Sequence, residues 1–168
     1  WKELVETQDI DGILQCFDKI PVAKGDFFLL PAGVVHAIGE NITMIEIMEP
    51  SDWVVRCEFE RIKGHGFPPE ARFMGKTLDD VIDIFDFTPY TVDEMRAKAC
   101  PVPVILENTE TVLRKQMVSD QETDYFSVQI IDIRANYDLQ KLSRLGVLLV
   151  ISGEGRIYSN SGTNDESS

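Results

Sequence analysis

Basic residues, cysteines and long apolar runs are scarce in this chain of 168 residues, and each shortage excludes a class of protein. Sixteen basic residues stand against 29 acidic ones, and the net charge of −13 repels a phosphate backbone, which excludes nucleic acid as a partner. A small anion is still allowed, because global charge is screened beyond roughly 8 Å and a few local cations suffice. No stretch approaches the roughly 20 apolar residues of a membrane helix, and the first residues lack a secretion signal. We therefore expect a soluble cytoplasmic protein with no membrane partner.

The cysteines are also too few and too scattered for a disulfide framework or a metal-binding CxxC pair. They are Cys16, Cys57 and Cys100, an odd number at wide spacing. We expect free thiols in a reducing compartment.

The length allows one full domain or parts of two. The chain has no initiator methionine and opens on Trp1, in what reads as the middle of a domain. We therefore expect a piece of a longer polypeptide, in which ligands missing from this chain lie before residue 1. The sequence leaves the oligomeric state open.

Most of the chain shows β-type patterning, with short apolar runs separated by glycine, proline or asparagine, as an antiparallel sandwich or barrel requires. In the first half, the predicted strands are Ile20–Val22, Phe27–Leu30, Val34–Ile38, Ile42–Ile47 and Trp53–Glu58. In the second half, they are Val102–Leu106, Val112–Gln116, Phe126–Ile133, Tyr137–Leu142 and Leu145–Ile151.

Helical signals occur in two places. The segment from Trp1 to Phe17 predicts two short helices or turns, because its apolar spacing is loosely helical and broken by Asp9 and Gly12. Between the β regions, Thr77 and Thr91 are each followed three residues later by an acid, as in a capping box. We predict a mainly β protein with three parts: a β region over 1–60, a helical linker over 61–101 and a second β region over 102–168.

The chain contains only two histidines, and one of them stands in a distinctive frame. Gly25, Pro31, Gly33 and His36 surround an apolar strand that is broken by proline and glycine just before the imidazole. Since neutral imidazole is the commonest protein ligand for zinc, copper and iron, His36 is a candidate metal ligand. The second histidine, His65, lies between two glycines in a polar loop, and we expect it to be solvated.

The spacing of these four residues resembles the second signature motif of the cupin β-barrels, although Glu40 and Asn41 stand near the expected asparagine. The resemblance implies a jelly-roll-like barrel. It also implies that 1–60 is the C-terminal part of a first cupin domain and that 102–168 begins a second. The other ligands of a cupin metal site, histidines and a glutamate, would lie upstream of this chain.

The run Ala32–Gly39, followed by Glu46, Ser51-Asp52 and Arg56, resembles the class I mannose-6-phosphate isomerases, which are zinc-dependent aldose–ketose isomerases built from cupin domains. The resemblance implies interconversion of mannose 6-phosphate and fructose 6-phosphate through a cis-enediol. It makes His36 a zinc ligand, Glu46 and Arg56 catalytic residues and Asp52 a substrate-binding residue. This part of the protein alone would be inactive.

Other interpretations stay open. The segments Met48–Pro50 and Trp53–Val55 depart from the family pattern, which leaves open a related cupin enzyme acting on another sugar or a non-catalytic sugar-binding cupin. Arg56 can instead form a salt bridge with Glu46, Asp52 or Glu58, and Asp52 can simply cap a turn. An acid such as Glu46 among large apolar neighbours is costly unless it is paired or functional.

Overall fold

The computed structural model describes residues 1–49, 51, 53–60, 66–139 and 145–158. Two compact units divide the chain, Trp1–Asn136 and Tyr137–Ser168. In the described part of the chain, every helix is too short or too polar to cross a bilayer.

The N-terminus forms two short helices, as predicted. Helix α1 spans Lys2–Thr7 and helix α2 spans Ile10–Leu14. Asp9 caps α2 by accepting a hydrogen bond from the Gly12 N–H at 3.0 Å. Gln8, between the helices, takes a left-handed conformation with φ 52°, which turns the chain sharply.

Four further helical segments lie in the predicted linker. They are α3 (Pro69–Arg72), α4 (Leu78–Val81), a 3-10 turn (Ile82–Ile84) and α5 (Val92–Ala99). Thr77 and Thr91 both form complete capping boxes, with Asp80 and Glu94. The sequence signals for these two helix starts are therefore confirmed.

A small core joins the N-terminal helices to the linker. Its buried members come from α1, α2, α4 and the segment before α3: Val5, Ile13, Phe59, Leu78 and Val81. Phe59 brings the end of the 53–60 segment into this core, and Phe73 meets its ring edge-on at 5.9 Å between centroids. The chain that carries Arg56 is thus held by apolar burial just beyond it.

An antiparallel sheet follows the linker, with strand order β1-β2-β3. The strands are β1 (Val104–Asn108), β2 (Val112–Val118) and β3 (Val128–Ile133). Tight turn bonds at Thr109 connect β1 to β2, and β2 pairs with β3 in a register that sets Val112 opposite Ile133. Three predicted strands, Val102–Leu106, Val112–Gln116 and Phe126–Ile133, are confirmed to within a few residues.

The five strands predicted between Ile20 and Glu58 are not present, so that prediction was wrong for the described residues. A strand needs a neighbouring strand to pair with its backbone groups, and no described strand lies beside these segments. Some of their backbone bonds go to the linker instead, such as Leu29 N–H to the Ala99 carbonyl at 2.6 Å. The described residues therefore contain a three-stranded sheet and short helices, and the cupin barrel stays a prediction.

The second unit has no helix or strand among its described residues. The predicted strand Leu145–Ile151 is exposed and unpaired, with Leu145 99% exposed. The predicted strand Tyr137–Leu142 lies partly outside the described residues, and the polar C-terminus from Ser159 lies wholly outside them.

Candidate functional site

His36 follows a turn that favours glycine at position 33. Gly33 has φ +82°, and the Val34 N–H donates to the Pro31 carbonyl at 3.3 Å. The Nδ1 atom of His36 lies 2.9 Å from the Val34 carbonyl oxygen. Because a carbonyl only accepts, this contact is a hydrogen bond when Nδ1 carries the proton, and in that neutral tautomer the Nε2 lone pair is free for a metal ion. The local sequence thus holds an exposed imidazole in the tautomer that can ligate through Nε2.

The linker supports this turn directly. The Asp86 N–H donates to the Gly33 carbonyl at 2.9 Å. A Cβ at Gly33 would lie 2.5 Å from the Ile84 carbonyl oxygen. The two backbones can therefore approach this closely only because glycine has no side chain. The segment Ile84–Asp86 is therefore the surface on which the His36 turn rests.

Asp86 is itself fixed by a polar cluster with Tyr90 and Lys98. Its carboxylate accepts hydrogen bonds from the Thr88 N–H and the Tyr90 hydroxyl, each at 3.0 Å, and pairs with the Lys98 ammonium at 3.2 Å. These donors, first of all Thr88, hold the pKa of Asp86 well below its ordinary value. The cluster orders the stretch of chain whose backbone holds Gly33.

Arg56 lies half-buried against the segment Phe67–Arg72. Its N–H donates to the Arg72 carbonyl at 2.9 Å, and its Nη1 donates to the Ala71 carbonyl at 2.6 Å. Its guanidinium carbon stands 4.5 Å from the centroid of the Phe67 ring. No ion pair joins Arg56 to Glu46 or Glu58. For these two acids, the structure therefore does not show the salt bridge that was the alternative to a catalytic role for Arg56.

Gln8 clamps the chain immediately after Arg56. Its side-chain amide donates to the Cys57 carbonyl at 2.9 Å, and its oxygen accepts from the N–H groups of Phe59 at 2.8 Å and Glu60 at 3.1 Å. Burial raises the pKa of the neighbouring Cys57 thiol to about 11. Sequence reasoning missed Gln8, because a single glutamine after a helix carries no local signal of a contact 49 residues away.

Glu46 and Asp52 are the remaining predicted site residues. The Glu46 side chain is exposed on a segment whose apolar side chains are exposed on both faces, among them Met44 at 49% and Ile45 at 56%. Asp52 lies outside the described residues, and so does His65. Large apolar side chains exposed on both faces of a segment are unusual on the surface of a soluble protein.

Within the described part of the chain, the predicted site residues are not linked by direct polar contacts. No hydrogen bond or ion pair joins His36, Glu46 and Arg56 to one another in the described ranges, so their assembly into one site stays a prediction. Across the same ranges, no group of three or more His, Cys, Asp or Glu side chains is placed to hold a metal ion. His36 by its tautomer fits one ligand of a zinc site, and further ligands would have to come from elsewhere.

A shallow pocket of about 330 Å³ lies between α1 and the start of α4. Its lining includes the cations Arg72 and Lys76 beside the rings of Phe59 and Phe73. The predicted site residues that the structure describes, His36, Glu46 and Arg56, do not line it.

Comparison with known proteins adds the decisive observation. The chain is 29% identical over 157 residues to the mannose-6-phosphate isomerase of Streptococcus mutans, and 28% identical over 158 residues to the mannose-6-phosphate isomerase ManA of Bacillus subtilis. Its resemblance to mannose-6-phosphate isomerases is confirmed. The aligned part covers 93% of this chain in both cases.

The similarity has a defined extent. The chain spans less than half the length of these relatives, 43% of the first and 44% of the second. No protein-family model and no solved structure matches it. The similarity is therefore one of sequence, and it runs through both the His36–Arg56 region and the three-stranded sheet.

Proposed function

We propose that the complete protein is a sugar-phosphate isomerase that interconverts mannose 6-phosphate and fructose 6-phosphate, with zinc as its cofactor. The observation that carries this proposal is the identity of 29% to a mannose-6-phosphate isomerase across 93% of the chain. The frame around His36 and the half-buried guanidinium of Arg56 support it, because both are chemically suited to the reaction. The cupin barrel, the boundaries at 60 and 101 and a cytoplasmic location remain parts of the same proposal.

The reaction moves a proton between C1 and C2 of the sugar through a cis-enediol. A bound zinc ion would polarise the two sugar oxygens. In this proposal His36 contributes its Nε2 to that site, and the Val34 carbonyl keeps the imidazole in the required tautomer. The remaining ligands come from outside the described residues.

Arg56 stabilises the negative charge that develops on a sugar oxygen. One of its N–H groups is used by the Ala71 carbonyl, and the planar fork retains others for an enediolate oxygen. Glu46 accepts the proton from C2 and returns it to C1, while the hydroxyl proton of the enediol moves from O2 to O1, so the carboxylate is regenerated in each turnover. Asp52 binds the substrate. If further elements cover the exposed apolar side chains around Glu46, this acid lies in a site with little water.

The experiment is a turnover assay on the complete protein with a panel of sugar phosphates. Mannose 6-phosphate should be converted to fructose 6-phosphate faster than any other member of the panel. Turnover of a different sugar alone would favour the related enzyme, and binding without turnover would favour a sugar-binding protein.

Metal content provides the second measurement. His36→Ala should lower the zinc bound per protein, whereas His65→Ala should leave it unchanged, because His65 is the other histidine of the chain and has no assigned role. Equal zinc content in the two variants would contradict the ligand assignment.

A further inference from the structure

Two arginines and two phenylalanines interlock beside the candidate site. The Arg56 guanidinium stands 4.5 Å from the centroid of the Phe67 ring, and the Arg72 guanidinium stands 4.2 Å from that of Phe59. Each side chain also donates to a carbonyl of the 67–72 segment: Arg56 to Ala71 and Arg72 to Phe67, the latter at 3.0 Å. The Phe67 N–H in turn donates to the Phe59 carbonyl at 2.8 Å.

These contacts leave the Arg56 side chain little freedom. Its backbone is fixed by the Arg72 carbonyl, one Nη by the Ala71 carbonyl and the plane of its guanidinium by the ring beneath it. An arginine has four side-chain torsions, so without such contacts its fork samples many orientations. A ring face constrains the plane through cation–π attraction, and the hydrogen bond constrains rotation within that plane.

We propose that Phe67 is a positioning residue for the isomerisation, acting through Arg56. Its ring holds the guanidinium so that the N–H groups not used by Ala71 meet the substrate oxygen with their orientation already set. This inference rests on the proposed function, in which Arg56 stabilises the enediolate. Preorganised donors act most strongly where charge develops in the transition state, so loss of the ring lowers kcat more than it raises KM.

The test compares kcat and KM for Phe67→Leu, Phe67→Tyr and Phe73→Leu in the complete protein. Phe67→Leu keeps apolar bulk and removes the ring face, and misplacement of the fork should lower kcat by roughly ten- to a hundredfold. Phe67→Tyr keeps the face and should restore most of the activity. Phe73→Leu is the matched control, because Phe73 packs on the same core and its ring packs edge-on against Phe59, whereas the Arg56 guanidinium lies over Phe67.

A mutant cycle with Arg56→Ala separates positioning from general damage to the fold. In the Arg56→Ala background, Phe67→Leu should cause no further loss of kcat. An equal loss in both backgrounds, or the same loss from Phe73→Leu, overturns the proposal.

A spectroscopic measurement makes the inference separable from the proposed function. In the wild-type protein the Arg56 side-chain N–H signal should show a ring-current shift that Phe67→Leu removes and Phe73→Leu does not. If that shift is present and Arg56→Ala leaves turnover unchanged, the catalytic assignment of Arg56 has failed and the positioning role falls with it. If Arg56→Ala abolishes turnover and the shift is absent, only the role of Phe67 is overturned.

Discussion

Replacing Gly33 by alanine tests how the linker supports the His36 turn. The glycine has φ +82°, in the left-handed region, and an added Cβ would lie 2.5 Å from the Ile84 carbonyl oxygen. The left-handed conformation costs a residue with a Cβ roughly 1–2 kcal/mol. The clash is between a new side-chain atom and backbone, so the turn must also move away from Asp86, whose bond to the Gly33 carbonyl is worth about 1 kcal/mol. We expect Gly33→Ala to lower the free energy of unfolding by roughly 2–3 kcal/mol.

Gly75 offers a matched control. It has a similar φ of +75°, and nothing lies within 4 Å of an added Cβ. Gly75→Ala should therefore cost only the conformational part, about 1–2 kcal/mol. Urea denaturation measures both losses, and amide exchange at Asp86 reports whether its bond to Gly33 is broken. Equal losses for the two variants, with unchanged exchange at Asp86, would refute the contact between the turn and the linker.

Three further predictions follow from single contacts. Gln8→Ala should lower the free energy of unfolding by roughly 1–3 kcal/mol, because it leaves polar groups of the Cys57–Glu60 chain unsatisfied; a denaturation midpoint within error of wild type would contradict the clamp. Cys57, with its pKa raised to about 11, should react with iodoacetamide at pH 8 far more slowly than the exposed Cys16, and equal rates by mass spectrometry would count against its burial. Because the pKa of Asp86 is lower in the folded state, its carboxylate stabilises the fold above the unfolded pKa near 3.9, and this stabilisation is lost as the pH falls toward the folded pKa. Asp86→Asn should therefore make the free energy of unfolding depend less on pH in acid. An unchanged dependence in acid would exclude this role.

Local signals in the sequence predicted local structure well. Thr77 and Thr91 each place a hydroxyl and an acid three residues apart, and such a pair forms its hydrogen bonds without help from distant residues. The same holds for β1 to β3, where apolar runs lie close in sequence and pair through short connections. The hydrogen-bonding partners of each of these elements lie nearby in the sequence.

The predicted strands that depend on distant partners were wrong for the described residues. The segment Ile42–Ile47 has the composition of a strand, but its apolar side chains are exposed and its backbone has no neighbouring strand among the described residues. Gln8 and Phe67 contact the Arg56 region across gaps in sequence that no periodicity reveals. Composition indicates whether a segment is able to form a strand, and its packing partners decide whether it forms one.

The predicted site residues show the same contrast between local structure and structure that depends on distant residues. The frame of Gly33 and His36 is local, and the structure shows a turn at Gly33 just before the imidazole, where the motif places it. Convergence of His36, Glu46 and Arg56 is a tertiary property, and the described residues do not show it.

The most direct test of the account is the isomerisation of mannose 6-phosphate by the complete protein before and after removal of its metal. We expect fructose 6-phosphate to form, chelation to abolish its formation, added zinc to restore it, and His36→Ala to prevent this restoration. Full turnover by the chelated protein, or by His36→Ala without zinc, would contradict the central claim that the imidazole at position 36 serves a metal-dependent isomerase.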